Sequence, residues 1–231
     1  MLPQLITLHK YDIAYLNKYE LKILDKEIFG DEIYRIDIEK KNPLIFDVGS
    51  HIGLSILYFK KKYPTSTILG FEPNPNVFPF LEENINGNNI KNVTLYNLAL
   101  SSKEGEKTLY IDSSGSGAFS TSSFIPNAWN GKQKTKGIKV QAAKLSSFIN
   151  TPIDLLKIDT EGAEEEILQD LYENRKLNLV KNIVLEYHPI KKTGLKTILK
   201  MLQNEGFAIE TKEDMNGDEG LIFVIGKKSF K

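Results

Sequence analysis

The sequence predicts an α/β fold: a mostly parallel sheet with helices on both faces and an antiparallel hairpin at the C-terminal side. Three observations predict it. Short apolar runs alternate with segments of helical period, as in Leu44-Ile45-Phe46, Ile68-Leu69-Gly70-Phe71 and Val93-Thr94-Leu95-Tyr96. The stretch LIFDVGSHIG at 44–53 reads as a buried strand, a tight glycine turn and a helix opening from that turn. Near the end, two β-rich runs, Phe207 to Glu210 and Leu221 to Ile225, flank the turn residues Asn216-Gly217-Asp218. A chain of 231 residues suits one large domain with a small extension.

In chain order, residues 1–43 read as a cap over the sheet or its cleft. Leu16, Tyr19, Ile23 and Leu24 share one helical face, and Phe29-Gly30-Asp31-Glu32 forms a turn. Tyr34, Ile36 and Ile38 alternate with charged residues, like a short strand or an extended lead-in. The main domain, 44–231, starts after Asn42-Pro43. Its first strand covers 44–48 and its first helix about 53–62, ended by Pro64. The second strand covers 67–71. Pro73-Asn74-Pro75 starts the next helix, with Val77, Phe80, Leu81 and Ile85 inward. The third strand is 93–96. Residues 106–142 read as a hairpin-like insertion with a mobile loop, because 112–123 is almost all small residues and Trp129 sits in polar surroundings. Such a segment packs little core of its own. A fourth strand, 153–158, and a fifth, 181–189, each precede a helix, the second of them capped by Thr193 and stopped by Gly206.

Composition narrows the function. Lys plus Arg and Asp plus Glu both number 30, so no strong nucleic-acid footprint is expected. The absence of cysteine rules out disulfides, thiolate nucleophiles and zinc–thiolate sites. Neither a signal peptide nor a run of transmembrane length is visible, so a cytoplasmic protein is expected.

The glycine turn carries the ligand chemistry. Gly49 lets the backbone approach a ligand that a Cβ would repel, and free N–H groups at the following helix start favour an anion. Glu72, at the end of the second strand, is placed to accept hydrogen bonds from ribose hydroxyls. The dinucleotide fingerprint G-x-G-x-x-G is absent, since only Gly49 and Gly53 stand here, with Ser50, His51 and Ile52 between. An NAD-dependent dehydrogenase is therefore disfavoured. Asp47 before the turn and Glu72-Pro73 after the next strand make the pattern look like an S-adenosylmethionine site of class I methyltransferases.

Five segments, FDVGSHIG at 46–53, GFEPNPNVFPFLEENI at 70–85, YNLALSSKEG at 96–105, DLLKIDTEGAE at 154–164 and VLEYHP at 184–189, together resemble the FkbM-type family of S-adenosylmethionine-dependent methyltransferases. The resemblance spans about 40–226. It implies a Rossmann-like class I fold with a seven-stranded sheet, and methyl transfer to an oxygen, commonly a hydroxyl of a sugar or a secreted natural product. It implies that Asp47, Gly49, Ser50, His51 and Gly53 shape the pocket for the methionine part, with Asp159 near the sulfonium. By the same resemblance Glu72 holds the ribose, Pro73 and Asn74 border the adenine, and Asn97, Leu98 and Ala99 bound it from the other side. One departure stands out: the family usually carries Asn where this chain has His51.

A hydroxyl acceptor needs help losing its proton. Asp159, Glu161, Glu186 and His188 all fall at the ends of the fourth and fifth strands, on the ligand edge of such a sheet. A histidine of ordinary pKa, ~6.5, suits a base near neutral pH. Lys157 shares the strand face of Asp159 and can neutralise it. The triplet Glu164-Glu165-Glu166 reads as a solvated first helical turn. Three carboxylates and a histidine could also hold a hard divalent cation, but no spacing enforces it and no metal is predicted. The expected acceptor is a sugar, glycan or small natural product. The alternatives are a methyltransferase acting on RNA or protein, and a binding module without catalysis.

Overall fold

The computed structural model describes residues 4–112, 122–128, 135–189, 194–213 and 221–228. Most of the small-residue loop, Trp129, the Thr193 cap and the turn at 216–218 lie outside the described residues.

The chain opens with a hairpin that the sequence reading did not contain, β1 (Gln4–Leu8) and β2 (Tyr11–Tyr15), paired antiparallel. Its turn is His9-Lys10, both with positive φ, without the glycine or asparagine that usually announces such a turn. Helix α1 (Lys18–Asp25) follows, its first N–H groups bonded to the Asn17 side chain, and it runs into a single π turn, Lys26–Gly30. Residues 31–43 form no strand. They run as an irregular lead-in whose Tyr34 and Ile36 are buried.

The main sheet is built from β3 (Leu44–Val48), β4 (Thr67–Phe71), β5 (Val93–Tyr96), β10 (Leu155–Ile158), β11 (Asn182–Tyr187), β12 (Ala208–Glu213) and β13 (Ile222–Lys227). Between β5 and β10 lie β6 (Ala99–Leu100), β7 (Gly105–Asp112), β8 (Ser122–Ser123) and β9 (Thr135–Ala143). The helices are α2 (Leu54–Lys62), α3 (Phe78–Asn86), α4 (Glu164–Glu173) and α5 (Gly194–Asn204). The strand order is β12-β13-β11-β10-β3-β4-β5. The first five in chain order are parallel, while β13 lies antiparallel between β11 and β12. Parallel strands need both faces covered, and two apolar layers do this. One gathers α4, α5 and the 3-10 turn Leu145–Phe148. The other gathers α2 and α3 with Ile13, Leu21, Ile28 and Tyr34 of the N-terminal segment.

Two expectations need correction. Helix α3 starts at Phe78, not at Pro73, because Asn74 instead closes a turn: its side-chain oxygen accepts from Asn76 N and its carbonyl from Val77 N and Phe78 N. The insertion does have a small core. Strands β7 and β9 pair along their length, and Leu109, Val140 and Ala142 pack there against Ala99 of β6 and Phe124.

Candidate active site

The parallel strands β3, β4, β10 and β11 end on one edge, and a cleft opens there. Gly49, His51, Glu72, Pro73, Leu98, Ala99 and Asp159 line it, together with Glu161 and, from the N-terminal segment, Glu20 and Leu24. Leu109, Ser122 and Phe124 of the insertion form its far wall. Asp47, Ser50, Gly53, Asn74 and Asn97 do not line it; they build the wall from behind.

Gly49 has a structural reason beyond the one expected. Its φ is +80°, and a Cβ there would sit 1.7 Å from the Asp159 carbonyl oxygen. The glycine lets β3 and β10 end side by side, and it also lines the cleft. Gly53, at φ +89°, admits the Leu81 side chain, whose Cδ1 would lie 2.7 Å from a Cβ, so α2 can pack on α3. His51 also has a positive φ, +50°, a conformation that asparagine tolerates better than histidine.

Lys157 and Asp47 sit opposite each other in register on neighbouring strands. Lys157 is 1% exposed and Asp47 is fully buried. The ammonium lies 3.3 Å from Asp47 Oδ1 and 3.4 Å from Asp159 Oδ2, and donates to the Gly49 carbonyl at 2.6 Å. The Asp47 contact is an ion pair without an aligned hydrogen bond; Asp47 Oδ2 accepts one from Ser55 Oγ at 2.6 Å. Burial opposes the lysine's charge, but Asp47, Asp159 and Glu186 outweigh it and raise its pKa. Lys157 is thus a buried cation beneath the glycine turn, away from the cleft surface.

Glu72 joins the turn after β3 to the turn after β4. One carboxylate oxygen accepts from His51 N at 2.9 Å and the other from Asn74 N at 2.8 Å. Burial raises its pKa. Asn97 Nδ2 donates to the Glu72 carbonyl, tying the end of β4 to the segment after β5. Ser50 Oγ donates to the Asp47 carbonyl. His51 Nε2 reaches Glu20 Oε1 of α1 at 3.4 Å; burial would lower its pKa, but Glu20 raises it.

On the acidic side the sequence reading missed Tyr34 and Glu164. Tyr34 Oη donates at 3.0 Å to Asp159 Oδ2 and lies 3.2 Å from Glu186 Oε2. Glu164 is 1% exposed, contrary to the solvated turn expected, while Glu166 accepts from Ser101 Oγ and Lys107 Nζ. Glu164 is buried because one of its oxygens accepts from Thr160 N, Thr160 Oγ and Gly162 N, closing the turn after β10. The same oxygen lies 3.2 Å from His188 Nδ1. His188 Nε2 faces Glu161 Oε2 at 3.4 Å and Glu186 Oε1 at 3.7 Å. Burial alone would lower the His188 pKa; Glu161, Glu164 and Glu186 together hold it well above the usual histidine range. Burial and the Asp159 charge push Glu186 well above the carboxylate range. Burial would raise Asp159 as well, but Lys157 and His188 hold it below that range.

Donor atoms of Asp159, Glu161 and His188 lie within 4.8 Å of one another, a spacing open to a cation. His188 is also flanked by Glu161, Glu164 and Glu186, so the same groups form an ion-pair cluster.

The sheet order, the reversed β13 and the cleft at the strand ends define a class I methyltransferase fold. A profile of the methyltransferase FkbM domain matches residues 47–209. The chain is 31% identical over 209 residues to methyltransferase 1 of Beauveria bassiana, covering 83% of each chain. It is 27% identical to the 31-O-demethyl-FK506 methyltransferase FkbM of Streptomyces tacrolimicus, covering 87% of each. The crystal structure of methyltransferase FkbM from Methylobacillus flagellatus superposes with a TM-score of 0.59 at 11% identity, over 82% of this chain and 45% of that longer one. The chain belongs to the FkbM methyltransferase family. Among the described residues no helix is long and apolar enough to cross a membrane.

Proposed function

We propose that this protein transfers a methyl group from S-adenosylmethionine to a hydroxyl oxygen of a sugar, glycan or small natural product. The observation that carries the reading is Glu72. It is a buried carboxylate on the cleft wall, braced by a backbone N–H on each oxygen, with lone pairs left for a vicinal diol. S-adenosylmethionine, when bound, supplies an electrophilic methyl on a sulfonium. Glu72 holds its ribose, Pro73, Leu98 and Ala99 offer the apolar surface for its adenine, and the backbone of Gly49 and His51 borders the methionine part. Asp159, across the cleft from Glu72, accepts the hydrogen of the acceptor hydroxyl and fixes that oxygen in place. His188 faces Glu161 and Glu186 and orients them. The name of the Streptomyces tacrolimicus relative, an O-demethyl-product methyltransferase, supports oxygen as the acceptor atom.

The test is calorimetric titration with S-adenosylhomocysteine, with NADH as control, followed by labelled S-adenosylmethionine and a panel of methyl glycosides and polyol natural products. Micromolar binding of the first ligand, none of NADH and label in an ether product support the reading. Absence of S-adenosylhomocysteine binding would overturn it.

A further inference from the structure

We propose that Tyr34 is a positioning residue of the transfer site, holding the Asp159 carboxylate through a hydroxyl that also reaches Glu186; this rests on the methyl-transfer reading above. Tyr34 lies outside the segment that matches the family profile, in the irregular lead-in before β3. It is 3% exposed and its ring joins the core on the α2 and α3 side of the sheet. Its hydroxyl nevertheless meets two carboxyl groups, from the ends of β10 and β11, at 3.0 and 3.2 Å. Packing alone gives no reason for that.

A phenol has one proton to donate. Set between two carboxyls, it satisfies both only when one of them carries a proton of its own. The shorter of the phenol's two contacts, 3.0 Å, goes to Asp159 Oδ2, against 3.2 Å to Glu186 Oε2. Lys157 and His188 hold Asp159 below the carboxylate range, while burial and the Asp159 charge push Glu186 above it. Lys157, 3.4 Å from the same Asp159 oxygen and 5.1 Å over the Tyr34 ring, completes the support. Oδ2 of Asp159 is therefore gripped by a phenol and an ammonium. Asp159 itself lines the cleft. Without the phenol hydroxyl the carboxylate loses one of two grips and turns more freely about its last bond.

The ring and the hydroxyl are separable in Tyr34→Phe, which keeps the packing and the cation–π contact. Three measurements on the full chain test the proposal: thermal unfolding, S-adenosylhomocysteine affinity, and the titration of the Asp159 carboxyl followed by carbon NMR, with Asp159→Asn used to assign the signal. Expected are a melting temperature within a few degrees of wild type, affinity within about threefold, and an Asp159 midpoint moved upward by loss of its donor. With an acceptor in hand, kcat falls on the order of tenfold with KM little changed, and the acidic limb of the pH–rate profile moves up with the Asp159 midpoint. An Asp159 titration identical in wild type and Tyr34→Phe would overturn the proposal, as would an unchanged pH–rate profile. Failure of the wild type to bind S-adenosylhomocysteine would instead sink the methyl-transfer reading, and the ligand-free titration would still report whether Tyr34 holds Asp159.

Discussion

Replacing Lys157 by Met removes a buried cation and leaves the volume nearly unchanged. Asp47, fully buried, then keeps a single strong donor, Ser55 Oγ. The Gly49 carbonyl loses its 2.6 Å donor at the same time. Breaking one side of a buried ion pair costs about 3–5 kcal/mol, because the remaining charge has no compensation. The near-isosteric swap itself adds less than about 1.5 kcal/mol. For a chain of this size each kcal/mol moves Tm by about 2–4 °C, so a fall of roughly 6–20 °C is expected. Thermal and urea unfolding of wild type, Lys157→Met, Asp47→Asn and the double variant form the assay. In the double variant the stranded charge is gone, so part of the loss returns. A Lys157→Met protein that melts within about 3 °C of wild type would refute the argument, because a cost of even 3 kcal/mol must move Tm further than that. So would a double variant no more stable than the sum of the two single losses predicts.

Other outcomes follow from the same geometry. Glu72→Gln should weaken S-adenosylhomocysteine binding roughly 10–100-fold, from the loss of charge-assisted hydrogen bonds of about 1.5–3 kcal/mol; unchanged affinity in the calorimeter removes the ribose assignment. Gly49→Ala places a Cβ 1.7 Å from the Asp159 carbonyl at a φ of +80°, so its loss should exceed the ~1–3 kcal/mol of left-handed strain alone, read as the urea midpoint or as failure to fold. His188 has a raised folded pKa, so it binds more protons folded than unfolded. Its stabilisation is fully present below about pH 6.5 and is lost as pH rises through the folded value. The stability gap between wild type and His188→Gln should therefore narrow from pH 6 toward alkaline pH, and a gap that widens contradicts the ion-pair cluster.

Much of the architecture was legible because its signals are local. The apolar runs ending at Val48, Phe71 and Tyr96 mark strands that finish at those residues. The glycine turn and the acid after β4 both reach the cleft through Gly49 and Glu72. What stayed hidden depends on distant partners. Glu164 looks like any acidic first-turn residue until its oxygen is seen closing the turn after β10. Lys157 is legible as the partner of Asp159, but the register that sets it opposite Asp47 and buries it is not a local signal. The His9-Lys10 turn adopts left-handed geometry with residues that do not signal it. Tyr34 and Glu20 had no local reason to join the site. Two features could have found Tyr34: the alternation of Tyr34, Ile36 and Ile38 marked a buried face, and a tyrosine on such a face needs a polar partner.

The Tyr34 bridge also has a consequence in time. Its partners stand 125 and 152 residues further along the chain. During synthesis from the N-terminus, neither contact can form before Asp159, and then Glu186, has left the ribosome. The Tyr34 hydroxyl must wait while β3 through β10 are made, although the rest of the leading segment can already pack on α2 and α3. Completion of the Tyr34 bridge is therefore a late event in biosynthesis. A nascent chain stalled before Glu186 should present an open strand edge and a Tyr34 hydroxyl that lacks its second carboxyl, whatever the order in which its other strands pair.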